Sequence, residues 1–301
     1  MCGKWPPSRV LLDYGIRCVY QGRVTSAQRY DRTRGASFPV RRPQLDFSEV
    51  RQRFYDDNAL GSAFWAVLQA LFPDGERFFI RAVHDVRKRV DDPDLQRDID
   101  AFMGQEATHA RMHREVNEKA QQIHGIDLET IERRMAKITA LFNRFHSPMQ
   151  RLAMTAAAEH FTATVGRYLL RHPEYMAGFR DLPARHLVMW HAIEEREHRA
   201  VAFDVYRKAG GSYWLRVVMF PWMFAVLTPW IVFETLRITG QMKGYEDRAA
   251  LRRGYLSLLG PKGILMKIGP GMRDYLRRDF HPNDDDQSAL EAEWKRELGF
   301  A

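Results

Sequence analysis

Cysteine is almost missing: Cys2 and Cys18 are the two in 301 residues. That excludes a disulfide framework and any all-cysteine zinc or iron–sulfur site, and it predicts a reducing, cytoplasmic compartment. No long tract is low in complexity, and 20 glycines with 14 prolines are too few for a disordered or collagen-like chain. Multiple membrane spans are excluded as well. No Ser-His-Asp set or nucleophilic cysteine stands out. Gly269-Pro270-Gly271 lacks the helix start and the Lys that a phosphate loop needs. The first 38 residues carry no long apolar run, so no secretory leader is expected, and Met1-Cys2-Gly3 has no apolar segment ahead of its cysteine.

What is present is a helical chain with 45% apolar residues and a net charge of +8. The charge is uneven. Residues 1–42 carry nine cations against two acids, and 237–278 carry ten against three. Such flanks suit a polyanion, either nucleic acid or anionic lipid. From Phe47 to Lys208 no strand pattern competes with helix, and Ala, Leu, Met, Arg and Glu dominate. The punctuation predicts helices over Asn58–Val90, with a break or kink at Pro73-Asp74-Gly75, then over Pro93–His124, Leu128–Phe145, Pro148–Arg171 and Pro183–Lys208. The domain reading is a loose basic arm over 1–38, a helical bundle over 39–210, an apolar and basic extension over 211–280, and an acidic tail over 281–301.

Within that extension Val217–Phe233 is a seventeen-residue run without charge, interrupted by Pro221 and Pro229 and accompanied by Trp214, Trp222 and Trp230. As a helix it measures about 25 Å, slightly short of the roughly 30 Å hydrocarbon core. Burial against the bundle comes first, a peripheral or re-entrant membrane contact second, and a true span third. The cations that follow favour an anionic membrane surface, at the inner membrane, over nucleic acid, which is not expected as a partner.

The strongest signal is a duplicated acidic element. Glu106-Ala107-Thr108-His109 and Glu195-Arg196-Glu197-His198 both read Glu-x-x-His, a spacing that sets carboxylate and imidazole on one helix face. Each follows a helix with one placed glutamate, Glu76 and Glu159, at separations of 30 and 36 residues. The halves align locally, with Glu76-Arg77-Phe78 over Glu159-His160-Phe161 and Gln105-Glu106 over Glu194-Glu195. Two such helix pairs give the six-ligand set of a di-iron or di-manganese carboxylate bundle. Four glutamates converging in a core bring a charge of about −4 into low dielectric, which two divalent cations cancel. Oxygen and imidazole donors favour iron, with manganese and zinc as alternatives. Glu194 competes with Glu195 for the inward position, and the Glu106-to-His109 interval favours Glu195. His113 and His191 are assigned to hydrogen bonds around the ligands or to the surface, with direct ligation as the minority reading, and Asp204 either orients an imidazole or takes a solvated or capping role.

The chain resembles the bacterial predicted metal-dependent hydrolase family, of ferritin-like character. The resemblance rests on Pro39-Val40-Arg41-Arg42, on Phe72 to Phe79, on Gln105 to His109 with His113 and Asn117, and on His191 to His198 followed by Val201-Ala202-Phe203-Asp204. It spans about 38–278. It implies an all-α, ferritin-like four-helix bundle of duplicated helix pairs and a metal-dependent enzyme, and it names no substrate. Oxidase or oxygenase chemistry on an apolar small molecule is the first functional expectation, with Glu76, Glu106, His109, Glu159, Glu195 and His198 holding two ferrous ions. Hydrolysis by metal-activated water is the second, and a non-catalytic storage or structural role the third. A homodimer is left open.

Overall fold

The computed structural model describes residues 34–300, so most of the expected basic arm, with both cysteines, lies outside the described residues. The regular structure is all helix, and an isolated bridge joins Tyr55 and Phe179. Four helices form the centre: α1 (Ala59–Val86), α2 (Pro93–His124), α4 (Pro148–Arg171) and α6 (Leu182–His198). Between them lie α3 (Glu129–Phe145) and the short α5 (Pro173–Gly178). The chain continues as α7 (Val201–Lys208), α8 (Tyr213–Gln241), α9 (Arg248–Leu259), α10 (Ile264–Asp274) and α11 (Ser288–Glu297).

The helix starts follow from side chains that satisfy the first free N–H groups. Asn58 Oδ1 accepts from Gly61 at 2.6 Å, Asp92 precedes Pro93, and Ser147 forms a reciprocal capping box with Gln150. Asp181 caps α6 through Ala184, and Gly125, at φ 66°, closes α2 in the left-handed conformation. α1 packs along α2, and α4 along α6, so each half of the sequence repeat is one helix pair.

α1 runs through Pro73 without the expected break. Proline has no N–H to give the Gln69 carbonyl four residues earlier, which would leave a buried acceptor unpaired. Asn117 of α2 supplies the missing donor, with Nδ2 at 3.2 Å from the Gln69 carbonyl oxygen, and also donates to Glu132 at 2.8 Å. The same contact fixes α1 against α2 two turns before Glu76.

Three other expectations change. The helix expected over Pro183–Lys208 is divided at Arg199-Ala200, where the Arg199 guanidinium takes up the Arg196 carbonyl and ends α6. The end of the expected arm is attached: Ser37 bonds Asp98 through N and Oγ at 2.7 and 2.9 Å, and Phe38 is buried against the His198 ring. The segment read as an acidic tail contributes α11, with Trp294 buried and donating to the Leu170 carbonyl at 2.9 Å. Its Glu291 pairs with Arg196 at 3.0 Å, so these acids meet cations of the bundle.

α8 lies along α1 and α4. Burial, the first expectation for its apolar run, holds for one stripe: 17% of its most apolar window is buried, and Trp214, Val218, Trp222, Val232 and Phe233 are exposed.

Replacing Asn117 by Leu should strand the Gln69 carbonyl and cost about 1–3 kcal/mol. Adding Pro73→Ala returns an N–H to that carbonyl and should recover part of the loss. Chemical denaturation of the two single variants and the double variant checks this; strictly additive effects would contradict it.

Candidate metal centre

Glu76 comes from α1, Glu106, His109 and His113 from α2, Glu159 from α4, and His191, Glu194, Glu195 and His198 from α6; all nine are buried. Spacings of three and four residues stack the donors on α2 and α6 toward one another, as helix geometry requires. His198 Nε2 lies 3.1 Å from Glu106 Oε1, 3.2 Å from Glu159 Oε2 and 3.6 Å from Glu195 Oε1. His109 Nδ1 lies 3.8 Å from Glu106 and 3.7 Å from Glu195. Four overlapping triads bring ligand atoms close enough to share an ion: Glu76 with His113 and His191; His109 with His191 and Glu195; Glu76 with Glu106 and His109; Glu106 with Glu195 and His198.

Both oxygens of Glu76, Glu106 and Glu159, with His109 Nδ1 and His198 Nε2, are buried without an aligned hydrogen-bond partner. Eight orphaned polar atoms in one place would be costly for any protein that left them so. They fit divalent cations. The opposite ring nitrogens are occupied. His109 Nε2 faces Glu194 at 3.0 Å, and His198 Nδ1 faces Gln105 Oε1 at 2.8 Å, so each imidazole is oriented by a donated proton while its other nitrogen points inward.

The family model for predicted metal-dependent hydrolases matches residues 39–286. The chain belongs to that family. No curated protein and no solved structure matches it. Membership places the protein among metal-dependent enzymes, and the buried His and Glu clusters are where the family's cations can bind.

The electrostatics of this family member agree with a site built for cations. Burial, then the neighbouring carboxylates, hold Glu76 and Glu106 well above the ordinary carboxylate range and bring Glu159 to about 7. Burial opposes ionisation of Glu195 too, yet the His198 and His191 imidazoles hold it well below that range. His109 and His113 are kept neutral by burial and by His191. Burial opposes protonation of His198, yet Glu195 and Glu159 hold its imidazole well above the ordinary range, so an arriving cation must displace a proton there as well as from the carboxylates.

Several of these placements were visible in sequence and others were not. Glu194 hydrogen-bonds His109, whereas Asp204 lies away from the cluster: its imidazole partner is His281, at 2.9 Å. His113 and His191 sit in the cluster itself. His113 Nε2 and His191 Nδ1 are 2.7 Å apart, His191 Nε2 is 2.7 Å from Glu195 Oε1, and His113 Nδ1 meets the Gln69 amide. Sequence reasoning gave no role to Arg41, which bonds Glu194 at 3.1 Å and Glu197 at 2.7 Å. Gln105, the His198 partner, is in turn held by Glu197 at 3.0 Å. One guanidinium therefore supports both inward-facing histidines, a connection that no local spacing reveals.

Arg41 keeps Glu197 ionised against its burial, while burial lifts Glu194 to about 8. Arg41→Met should cost about 3 kcal/mol through the uncompensated buried acids, read by denaturant unfolding. A loss no larger than for an exposed arginine would contradict the role.

Protonated Glu76, Glu106 and Glu159 make cation binding pH-dependent. For Glu159 the folded value, about 7, stands above the ordinary 4.5, so without cations stability falls as pH rises from 4.5 through 7. Cation binding displaces those protons and so strengthens with pH, by about 1.4 kcal/mol per proton per unit. The rise in Tm on adding Mn²⁺ or Zn²⁺ should be larger at pH 8 than at pH 5.5; an equal rise at both would count against this centre.

Proposed function

We propose that the protein is a hydrolase that cleaves an ester or amide of a long apolar molecule, with two divalent cations held by Glu76, Glu106, His109, Glu159, Glu195 and His198. One observation carries the substrate class. A cavity of about 420 Å³, lined by side chains such as Leu60, Phe64, Phe78, Phe142, Met154 and Phe224, lies beside the acidic cluster. Leu68, Phe72, Phe161 and Thr162 also line a second cavity of about 50 Å³ that reaches His113, His191 and Glu195. The larger volume is in the range of small-molecule sites, and its walls offer an apolar chain nothing but apolar surface and a few hydroxyls. Such a chain would lie in the large cavity with its polar end in the small one.

Bound cations supply a Lewis acid and a water of lowered pKa. The protein supplies the rest. Both nitrogens of His191 are engaged, one with His113 and one with Glu195, so His191 suits proton transfer better than ligation. As the water oxygen bonds to the substrate carbonyl carbon, His191 would have to give up its contact with Glu195 to take the water proton at Nε2, its Nδ1 staying on His113. The proton then passes to the leaving oxygen or nitrogen as the carbonyl bond to it breaks. Thr162 donates to Glu195 and keeps that carboxylate turned toward the centre. Phe72, packed at 4.7 Å from the His113 ring and 4.9 Å from the His191 ring, keeps bulk water out.

Family membership favours this reading over the oxygen-activating chemistry that ligand types alone put first. Oxidation stays as the second reading because four carboxylates against two outward-braced histidines, next to a dry apolar cavity, also suit dioxygen reduction. Metal analysis combined with p-nitrophenyl esters of increasing acyl length separates the two. Hydrolysis predicts turnover with zinc or manganese and a kcat/KM that climbs with chain length. His191→Gln should lower kcat by about 10²–10⁴ while metal content is retained. Dioxygen consumption by an iron-loaded protein without ester turnover would replace the first reading with the second.

A further inference from the structure

Among the described residues, twelve of the sixteen exposed large apolar side chains lie between Trp214 and Leu276, on α8, α9, α10 and their connections. An apolar patch of this kind on a soluble protein marks a contact surface. Four of its residues have a second property. Val232, Leu236, Tyr255 and Leu259 are exposed and also line the large cavity, so they form its rim. The mouth of the apolar cavity therefore opens on this face.

Charge says what the face meets. On α9, Arg252, Tyr255, Leu256 and Leu259 are all exposed and follow a helical stripe, with a cation at one end and apolar groups along the rest. Exposed cations outnumber exposed acids six to one over residues 248–274. Arg252, Arg253, Lys262, Lys267 and Arg273 form no ion pair among the described residues. Trp214 lies beneath Arg278, whose guanidinium is 5.2 Å from the ring centre. Free cations interleaved with exposed aromatic and aliphatic side chains match an interface where headgroup phosphates and acyl chains lie side by side.

We infer that the α8–α10 face docks on an anionic lipid bilayer and presents the cavity mouth to it, so that apolar molecules enter from the membrane. The protein lies on the surface. α8 cannot leave the bundle to cross the bilayer without exposing Glu234, held by Arg134 and Arg237, and Arg216, which donates to the Tyr275 and Arg277 carbonyls. This inference stands independently of which bond the metal centre breaks, because it concerns where the chain sits.

Flotation of the full chain with vesicles tests it, using phosphatidylcholine alone and phosphatidylcholine with roughly a third phosphatidylglycerol. The protein should float with the anionic vesicles and much less with the neutral ones. Arg252→Glu with Arg253→Glu and Lys267→Glu should lower the bound fraction at least ~tenfold. Phe233→Ser with Met266→Ser should lower it on both compositions. Unchanged far-ultraviolet melting would show that these variants fold. Failure to float with anionic vesicles, or equal flotation of the charge-reversed variant, would overturn the inference. So would a dimer in light scattering that Phe233→Ser with Met266→Ser converts to monomer, since a second copy would then cover the face.

Discussion

Four carboxylates share one water-poor space, and most of the fold can be understood as the means of keeping them there. Side by side in low dielectric they repel, and each loses its hydration. A protein can tolerate that only if cations enter or protons remain. Glu76, Glu106 and Glu159 keep protons in the absence of metal, while Glu195 gives its charge to His198 and His191. The metal-free centre thus holds protons that cation binding must displace. The scaffold must be stiff enough that the helices do not spread apart when the protons leave. The Asn117 bond across the Pro73 gap has that effect for α1 and α2. Close contact has it for α4 and α6, where a Cβ on Gly166 would sit 3.0 Å from the Ala192 carbonyl oxygen.

Around this interior runs a ring of opposite sign. Arg41 and Lys295 neutralise Glu197, Arg41 reaches Glu194, and Glu197 fixes Gln105. These contacts orient His109 and His198 through hydrogen bonds rather than by lining the site. Direction matters as much as strength: an imidazole whose outward nitrogen is occupied must offer its inward one. The histidine pair His113–His191 differs, since both nitrogens of each ring already have partners. Two kinds of histidine therefore stand in one cluster, braced donors with a free nitrogen and a relay with none.

The parts of this that sequence could reach are those fixed by local geometry. Glu-x-x-His puts both groups on one face whatever the tertiary structure, and two copies behind Glu76 and Glu159 make coincidence improbable. Helix caps such as Ser147 and Asp181 are local for the same reason. Arg41 could not be assigned, because its partner Glu194 is 153 residues away and an arginine near an arm most often means a solvated charge. From sequence, Asp204 stands open between orienting an imidazole of the cluster and a solvated or capping role. Six residues past His198 looks near, but the turn at Arg199-Ala200 redirects α7, and the side chain meets His281. At Pro73 the helix is continuous where the sequence predicts a break or kink, because a proline is read from its own missing N–H while the compensating donor lies on another helix.

The apolar run of α8 shows why composition cannot distinguish a core helix from a surface one. Its mean composition satisfies either setting, but its few polar residues do not. Glu234 is fully buried between Arg134 and Arg237, and Thr239 is fully buried with its hydroxyl on the Thr235 carbonyl. These groups need partners that only the bundle supplies, so they fix which stripe of the helix faces inward. The opposite stripe is then exposed by necessity, and every large apolar residue on it costs roughly 25 cal/mol per Å² left in water. A chain with apolar residues to spare for a three-sided core still leaves Trp214, Trp222 and Phe233 outside. The inward polar anchors and the outward apolar surface are thus two sides of one constraint, and the rim of the large cavity lies on the outward side.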